Sequence, residues 1–212
     1  MSGYFLTIEG VDGAGKSTQA RLLADRLREG GRDVVLTREP GGAPGAEEIR
    51  ALLLTGEAGR WSPVTETLLF FAARRDHMER TIQPALARDA VVICDRFTDS
   101  TRAYQAAARP AEGRKGVDRA LIDLLHDRTI GLNPDLTLIF DMSAEAALAR
   151  GLARGGTEAR FESLGSEFQS DLRDSFRAIA EAEPQRCAII DAEGQPDTVA
   201  ARVWRVVAER IG

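Results

Sequence analysis

The sequence predicts an α/β fold in which helices cover both faces of a parallel sheet, and three observations lead to it. Five short runs, at residues 4–8, 33–37, 90–94, 136–140 and 187–190, are nearly continuous in apolar character, as strands are when both faces are buried. Stretches with helical period separate them. A glycine-rich segment follows the first run directly and leads into the first helical stretch. Alternation of this kind implies right-handed crossovers between parallel strands. At 212 residues the chain reads as one domain, and it can bury on the order of 70% of its unfolded surface.

Each helix follows from its spacing. Leu22, Leu23 and Leu27 are expected to share the buried face of the first helix, and Ile49, Leu52 and Leu53 that of the second. Near the C-terminus Val199, Val203, Val206, Val207 and Ile211 recur at helical intervals, with Pro196 placed to open that helix. Two segments break the pattern. Residues 109–116 (RPAEGRKG) are polar and read as an exposed loop. Residues 150–165 carry Arg150, Arg154 and Arg160 around the pair Gly155-Gly156 and read as a mobile lid between two helices.

Composition excludes several classes. Lys and Arg number 28 against 33 Asp and Glu, a net charge of −5 that argues against duplex nucleic acid as a partner. Cys94 and Cys187 are too few for a disulfide framework and lack metal-ligand spacing. No apolar run is long enough for a bilayer, and Met1-Ser2-Gly3-Tyr4 does not start a signal peptide. The expectation is a cytoplasmic protein with no membrane partner.

The chemistry concentrates in Gly10-Val11-Asp12-Gly13-Ala14-Gly15-Lys16-Ser17, which satisfies G-x-x-x-x-G-K-[ST] between a strand and a helix. Glycines let backbone N–H groups turn inward onto phosphate oxygens, and the helix N-terminus reinforces them. Lys16 is then expected at the β/γ-phosphates and Ser17 at Mg²⁺, with Thr18 completing the ATP-phosphate site. Asp12 places a carboxylate beside polyphosphate, which is unfavourable unless it serves a sugar hydroxyl or a metal-bound water; plain solvent exposure is the alternative. The third run ends in Asp95-Arg96, beside the phosphate loop, where ligands bind in open α/β sheets. Asp95 can hold Mg²⁺ through water and Arg96 can bridge phosphates, or the two can cap the strand as a structural ion pair. The polar cluster that follows, from Thr98 to Gln105, suits a base or sugar reader and equally an ordinary helix start.

With these residues in place, the chain resembles bacterial thymidylate kinases over essentially its whole length. The blocks that carry the resemblance are FLTIEGVDGAGKST, TREPGG at 37–42, LLFFAARRDHM at 68–78, CDRF at 94–97, DSTRAYQ at 99–105 and NPDLT at 133–137. It implies a P-loop kinase fold with five parallel strands, a homodimer, and transfer of the γ-phosphoryl group of MgATP to dTMP. By motif, Phe70 stacks on thymine, Arg74 bonds the base or a neighbouring phosphate, and Ser100, Thr101 and Gln105 read the pyrimidine edge. Tyr104 lies near the sugar, Asp12 bonds the 3′-hydroxyl, Arg38 and Arg96 grip the monophosphate, and Glu39 joins the acceptor site. Glu9 is a second metal-sphere acid beside Ser17 and Asp95. One of Phe70 and Phe71 belongs to the core. In the family the catalytic arginine comes from the phosphate loop or from the lid; Val11, Asp12, Gly13 and Ala14 include no base, so Arg154 is the first candidate, with Arg150 next and Arg160 also matching a lid position. Lys16, Arg96 and Asp95 complete the expected catalytic set. After Tyr104 the family continues YQG-x-G-R-G, whereas this chain has Gln105-Ala106-Ala107-Ala108-Arg109-Pro110.

A kinase for another nucleoside monophosphate, a GTPase switch and a non-catalytic nucleotide module are the rival readings. The switch would need N-K-x-D, which is absent, and a module that had lost turnover would not need Lys16, Asp95, Arg96 and a lid arginine. His77 and His126 read as structural or solvated, Trp61 and Trp204 as packing, and Glu47-Glu48 as a solvated helix start.

Overall fold

The computed structural model describes residues 3–57, 59–107, 113, 115–154 and 165–211. Five strands, β1 (Tyr4–Gly10), β2 (Val34–Arg38), β3 (Val91–Asp95), β4 (Leu136–Asp141) and β5 (Cys187–Asp191), form one parallel sheet in the order β2-β3-β1-β4-β5. All five begin where, or one residue after where, the apolar pattern places them, and all five run past the expected end. The reason is common to them. Main-chain pairing continues through the polar residue that closes each apolar run, so Glu9, Arg38, Asp95, Asp141 and Asp191 belong to strands.

Helices α1 (Lys16–Glu29), α2 (Pro44–Leu54), α3 (Pro63–His77), α4 (Gln83–Ala87), α5 (Thr98–Tyr104), α6 (Arg119–Thr129), α7 (Ala144–Arg154), α8 (Gly165–Ala182) and α9 (Pro196–Ile211) connect them. A π-helical turn, Met78–Ile82, joins α3 to α4. Helix starts follow local chemistry. Pro44, Pro63 and Pro196 each open a helix, where their missing N–H costs nothing, and the Ser62 hydroxyl accepts from Thr65 N at 3.1 Å.

Strand alternation divides the core in two. Leu6, Ile8, Val91 and Ile93 face a layer that contains Leu23 and Leu27 of α1, Leu172 and Phe176 of α8, and Val199, Val203 and Val207 of α9. Phe5, Val92 and Cys94 face the other way, against Phe71, Met78, Ile82 and Ile122. Each fully buried side chain of this size contributes roughly 1.5–3 kcal/mol. Two expected core positions are corrected. Leu22 and Leu52 are 37% and 41% exposed, because the buried stripe of α1 runs through Gln19, Ala20, Leu23, Ala24 and Leu27, and α2 buries Ala46 and Leu53 instead. No described helix is long and apolar enough to cross a membrane. Residues 109–112 and 114 of the expected loop, and 155–164 of the expected lid with Arg160, lie outside the described residues, as does the side chain of Arg154. Beyond Tyr104, Val117 N donates to Gln105 O at 2.8 Å.

Candidate active site

Between β1 and α1 the glycine-rich loop folds tightly. Gly13 and Gly15 both have φ of 86°, and a Cβ on Gly13 would come within 2.0 Å of the Ala147 carbonyl, so the loop could not seat under α7 with a side chain there. Gly15 caps α1 without any side-chain cap, so the first N–H groups of α1 open onto a cleft of ≈ 450 Å³. Asp12, Gly13, Gly15, Lys16, Ser17, Arg38, Asp95 and Arg96 line it. Val11 and Ala14 are buried behind the loop, Gly10 accepts from Arg96 Nη1 through its carbonyl at 3.2 Å, and Thr18 is exposed on α1; none of these four lines the cleft. Lys16 Nζ donates to Val11 O at 2.7 Å and lies 3.9 Å from Asp12. Burial, with the charge of Arg96 adding to it, pushes the lysine down to about 8. Ser17 Oγ donates to Asp95 Oδ2 at 2.5 Å, so a hydroxyl and a carboxylate oxygen converge beside Lys16. That all-oxygen pair suits a hard divalent cation.

Arg96 is the junction of the site. It sits at φ 73°, a left-handed backbone that costs of order 1–3 kcal/mol for a non-glycine residue. Its N–H bonds Ile8 O at 2.9 Å, Nη1 donates to Ser100 Oγ at 2.9 Å, and Nη2 donates to Asp12 and to Tyr104 Oη, the latter at 3.1 Å. Tyr104 Oη in turn donates to Asp12 Oδ2 at 3.2 Å. Burial alone would raise the Asp12 carboxyl, but the charges of Arg96 and Lys16 outweigh it and hold the group below the ordinary carboxylate range. Asp12 is therefore a largely enclosed, paired acid, and the solvent-exposed alternative falls.

Glu9 is placed differently from its expected role. It is fully buried beneath Arg96, accepting from Phe97 N at 2.7 Å and from Ser100 Oγ at 2.5 Å, and it does not line the phosphate cleft. Burial, followed by the nearby charge of Asp99, pushes Glu9 up to about 7. A carboxyl so enclosed orients the start of α5 rather than meeting a metal.

A second cleft, of ≈ 620 Å³, opens on the other side of Arg96 and shares Asp12, Glu39, Arg50 and Arg96 with the first. Phe70 stands half-exposed on its wall, while Phe71 is 3% exposed in the core, which separates the two adjacent rings. Arg74 is buried across the floor. Its Nε donates to Glu39 Oε2 at 2.7 Å and its Nη2 to Thr101 Oγ1 at 3.0 Å, while the buried Nη1 has no hydrogen-bond partner among the described residues. Ser100, Thr101, Tyr104 and Gln105 line the same cleft, with Gln105 Nε2 held 3.2 Å from Glu66 Oε1. Arg38 stays at the edge of the phosphate cleft, half-exposed and paired with Glu47 at 3.1 Å.

Other members of the polar cluster turn away. Asp99 accepts from Arg186 and Arg102 and lines neither cleft, so its charge is structural. Glu47 is a partly exposed residue of the first turn of α2, as expected, and its Oε1 also accepts from Gly42 N at 2.9 Å, which ties the loop before α2. His77 pairs with an acid, Glu39 at 3.0 Å, brought in by the fold from 38 residues away. His126 is bonded by Thr98 and Asn133, a structural role, and burial lowers its pKa. Trp204 packs under Arg26 at 4.0 Å, and Trp61 Nε1 bonds Leu52 O. Arg150 donates to the carbonyls of Ala192 and Gly194 at the β5–α9 turn, 3.3 and 3.2 Å away. Arg50, Pro40 and Leu54 are lining residues that sequence reasoning missed; Arg50 Nη1 donates to Pro40 O at 2.7 Å. Pro40 lies within TREPGG itself, and the only signal for Arg50 and Leu54 is position, about two and three helical turns after that block.

Comparison with known proteins decides the family. The thymidylate kinase family model matches residues 8–203. The chain belongs to the thymidylate kinase family. It is 56% identical over 211 residues to a thymidylate kinase of Caulobacter vibrioides, covering 99% of this chain and 98% of that one. It is 57% identical over 206 residues to one from Ruegeria pomeroyi, covering 97% and 95%. A crystal structure of thymidylate kinase from Ehrlichia chaffeensis superposes with a TM-score of 0.77 at 38% identity, covering 98% of this chain and 99% of that one. The five-stranded parallel sheet with flanking helices is thus the thymidylate kinase architecture, and the two clefts lie at the strand ends of that architecture.

Proposed function

We propose that this chain transfers the γ-phosphoryl group of ATP to dTMP, giving dTDP and ADP, as a single P-loop kinase domain. One observation carries the reading: a phosphate cleft with an uncapped helix start and a base-sized cleft with an orphan guanidinium N–H meet at Arg96 and Asp12. ATP phosphates lie over Gly13, Gly15 and Lys16, and the acceptor phosphate lies beside Arg96 and Arg38. An acceptor phosphate oxygen attacks the γ-phosphorus as the bond to the β-bridging oxygen breaks and ADP leaves with that electron pair. Thymine stacks on Phe70 and accepts from Arg74 Nη1, which removes the cost of about 1–3 kcal/mol that a buried unpaired donor carries. Tyr104 faces the sugar, and Asp12, already placed by Arg96 and Tyr104, accepts the 3′-hydroxyl.

Ser17 and Asp95 are the groups that would hold Mg²⁺, whose charge, when bound, offsets that of the β- and γ-phosphates. Arg154 is assigned the positive charge on the transferring group from the lid side. The reading also carries a cytoplasmic location and a homodimer built on α3, where Val64 and Leu68 are 45% and 48% exposed. The test is coupled ADP release with dTMP, dUMP, dCMP, AMP and GMP as acceptors. Release should depend on an acceptor and be fastest with dTMP; ADP release independent of any monophosphate, or fastest with a purine, overturns it.

A further inference from the structure

We propose that His77 is a positioning residue for base recognition, acting through Glu39 on the guanidinium of Arg74. The proposal rests on reading the ≈ 620 Å³ cleft as the thymine site. His77 is fully buried and does not line that cleft. Its Nδ1 lies 3.0 Å from Glu39 Oε1 and its Nε2 2.7 Å from Thr37 Oγ1. A carboxylate oxygen only accepts, so the ring proton sits on Nδ1, and Nε2 accepts from the Thr37 hydroxyl. The other Glu39 oxygen accepts from Arg74 Nε at 2.7 Å. A carboxylate held at one oxygen alone would still turn about its terminal torsion, which has broad wells. The bond from His77 removes that freedom, and Arg74 is presented with Nη1 fixed.

The end of α3 is shaped for this. Ala46 N donates to Asp76 Oδ2 at 2.9 Å, and Thr81 in the π turn donates to Gly42 O at 2.7 Å. The loop that follows Glu39 is therefore pinned at two points, Glu39 N itself donates to Asp95 O at 3.0 Å, and a Cβ on Gly42 would lie 2.4 Å from His77 Nε2. Single π turns inside helices occur frequently at functional sites. Glu39, His77 and Cys94 also have potential ligand atoms within 4.8 Å of one another. Both imidazole nitrogens and both Glu39 oxygens are nevertheless engaged with protein partners, and Cys94 Sγ donates to Arg96 O at 3.0 Å, so the cluster works as a hydrogen-bond relay.

Steady-state kinetics on four variants test the relay. His77→Leu should raise KM for dTMP about tenfold, the loss of a bond to a charged group, with KM for ATP within about twofold of the parent. His77→Asn, whose amide N–H stands where Nδ1 stood, should recover most of that loss. His77→Gln, which reaches only the Nε2 position, should not. Thr37→Val leaves the ring in place but without its hydroxyl partner, and should raise KM for dTMP about threefold. An unchanged KM for dTMP in His77→Leu, or equal KM values for the Asn and Gln variants, overturns the proposal. So does a rise in which the ATP and dTMP values move together, because that pattern marks a merely structural histidine. Should His77→Leu not fold, the Asn–Gln difference and Thr37→Val decide alone. A parent enzyme that shows no preference for dTMP among monophosphates overturns the reading of the cleft itself, and the relay with it.

Discussion

The phosphate end of the cleft is made chiefly from the loop at residues 12–17 and the end of β3, with Arg38, Glu39 and Arg50 at its border, whereas the base end is assembled from Glu39 and Pro40, Arg50 and Leu54, Phe70 and Arg74, and the helix that starts at Thr98. At the phosphate end the backbone does much of the work: left-handed glycines and an uncapped helix start present N–H groups, and side chains add Lys16, Ser17 and Asp95. At the base end the side chains do it, through a buried chain of hydrogen bonds from His77 to Glu39 to Arg74 to Thr101. A contiguous backbone cradle tolerates little substitution and recognises any polyphosphate. A cradle made of side chains from four segments can discriminate among bases, and its parts can be altered one at a time.

That contrast gives perturbations of different kinds. The largest effect is expected from Arg154→Ala, which should lower kcat by about 10³-fold while KM for dTMP moves by less than about threefold. Steady-state kinetics check it, and normal turnover would remove the lid from the mechanism. Phe70→Ala should do the reverse at the base end, raising KM for dTMP about tenfold with kcat nearly kept. A fall in kcat with KM unchanged would blur the two regions into one.

Protonation separates them further. Because burial brings Lys16 to about 8, kcat/KM for ATP should decline above that pH, by up to about tenfold per unit, as the free enzyme's ammonium is lost. The profile for dTMP at saturating ATP should not share that descent. The smallest effect concerns stability. Glu9 has a folded pKa of about 7, above its ordinary value of 4.5, so between these limits the native state binds more protons than the unfolded chain. Stability attributable to Glu9 is thus greatest below pH 4.5 and falls as pH rises to about 7. Denaturant unfolding of the parent against Glu9→Gln should show the parent losing ground across that window; parallel curves would mean that the carboxyl titrates alike in both states.

How much was legible follows from the same contrast. The phosphate loop is one segment whose residue order carries its geometry, so its position between strand and helix could be read directly. Strand positions were legible because burial on both faces leaves an apolar run; their last residues were not, because Glu9, Asp95 and Asp141 end that run while still pairing in the ladder. Phe70 and Phe71 were indistinguishable by type, since adjacent helical positions differ by 100° and only the packing of α3 decides which one enters the core. The enclosure of Glu9 and the partners of His77 are not legible for one reason. Each has partners tens of residues away, Phe97 and Ser100 for the first, Glu39 and Thr37 for the second, and no local pattern records such a pairing. Asp99 reads as part of the polar cluster because its neighbours Ser100 and Thr101 line the second cleft, but the helix turns it toward Arg186.

A crystal structure of the dTMP complex tests the central claim most directly. The account predicts the thymine ring against Phe70 with a base carbonyl about 2.9 Å from Arg74 Nη1, and the phosphate beside Arg96. A base lodged elsewhere, with Arg74 Nη1 still unpaired, would contradict it.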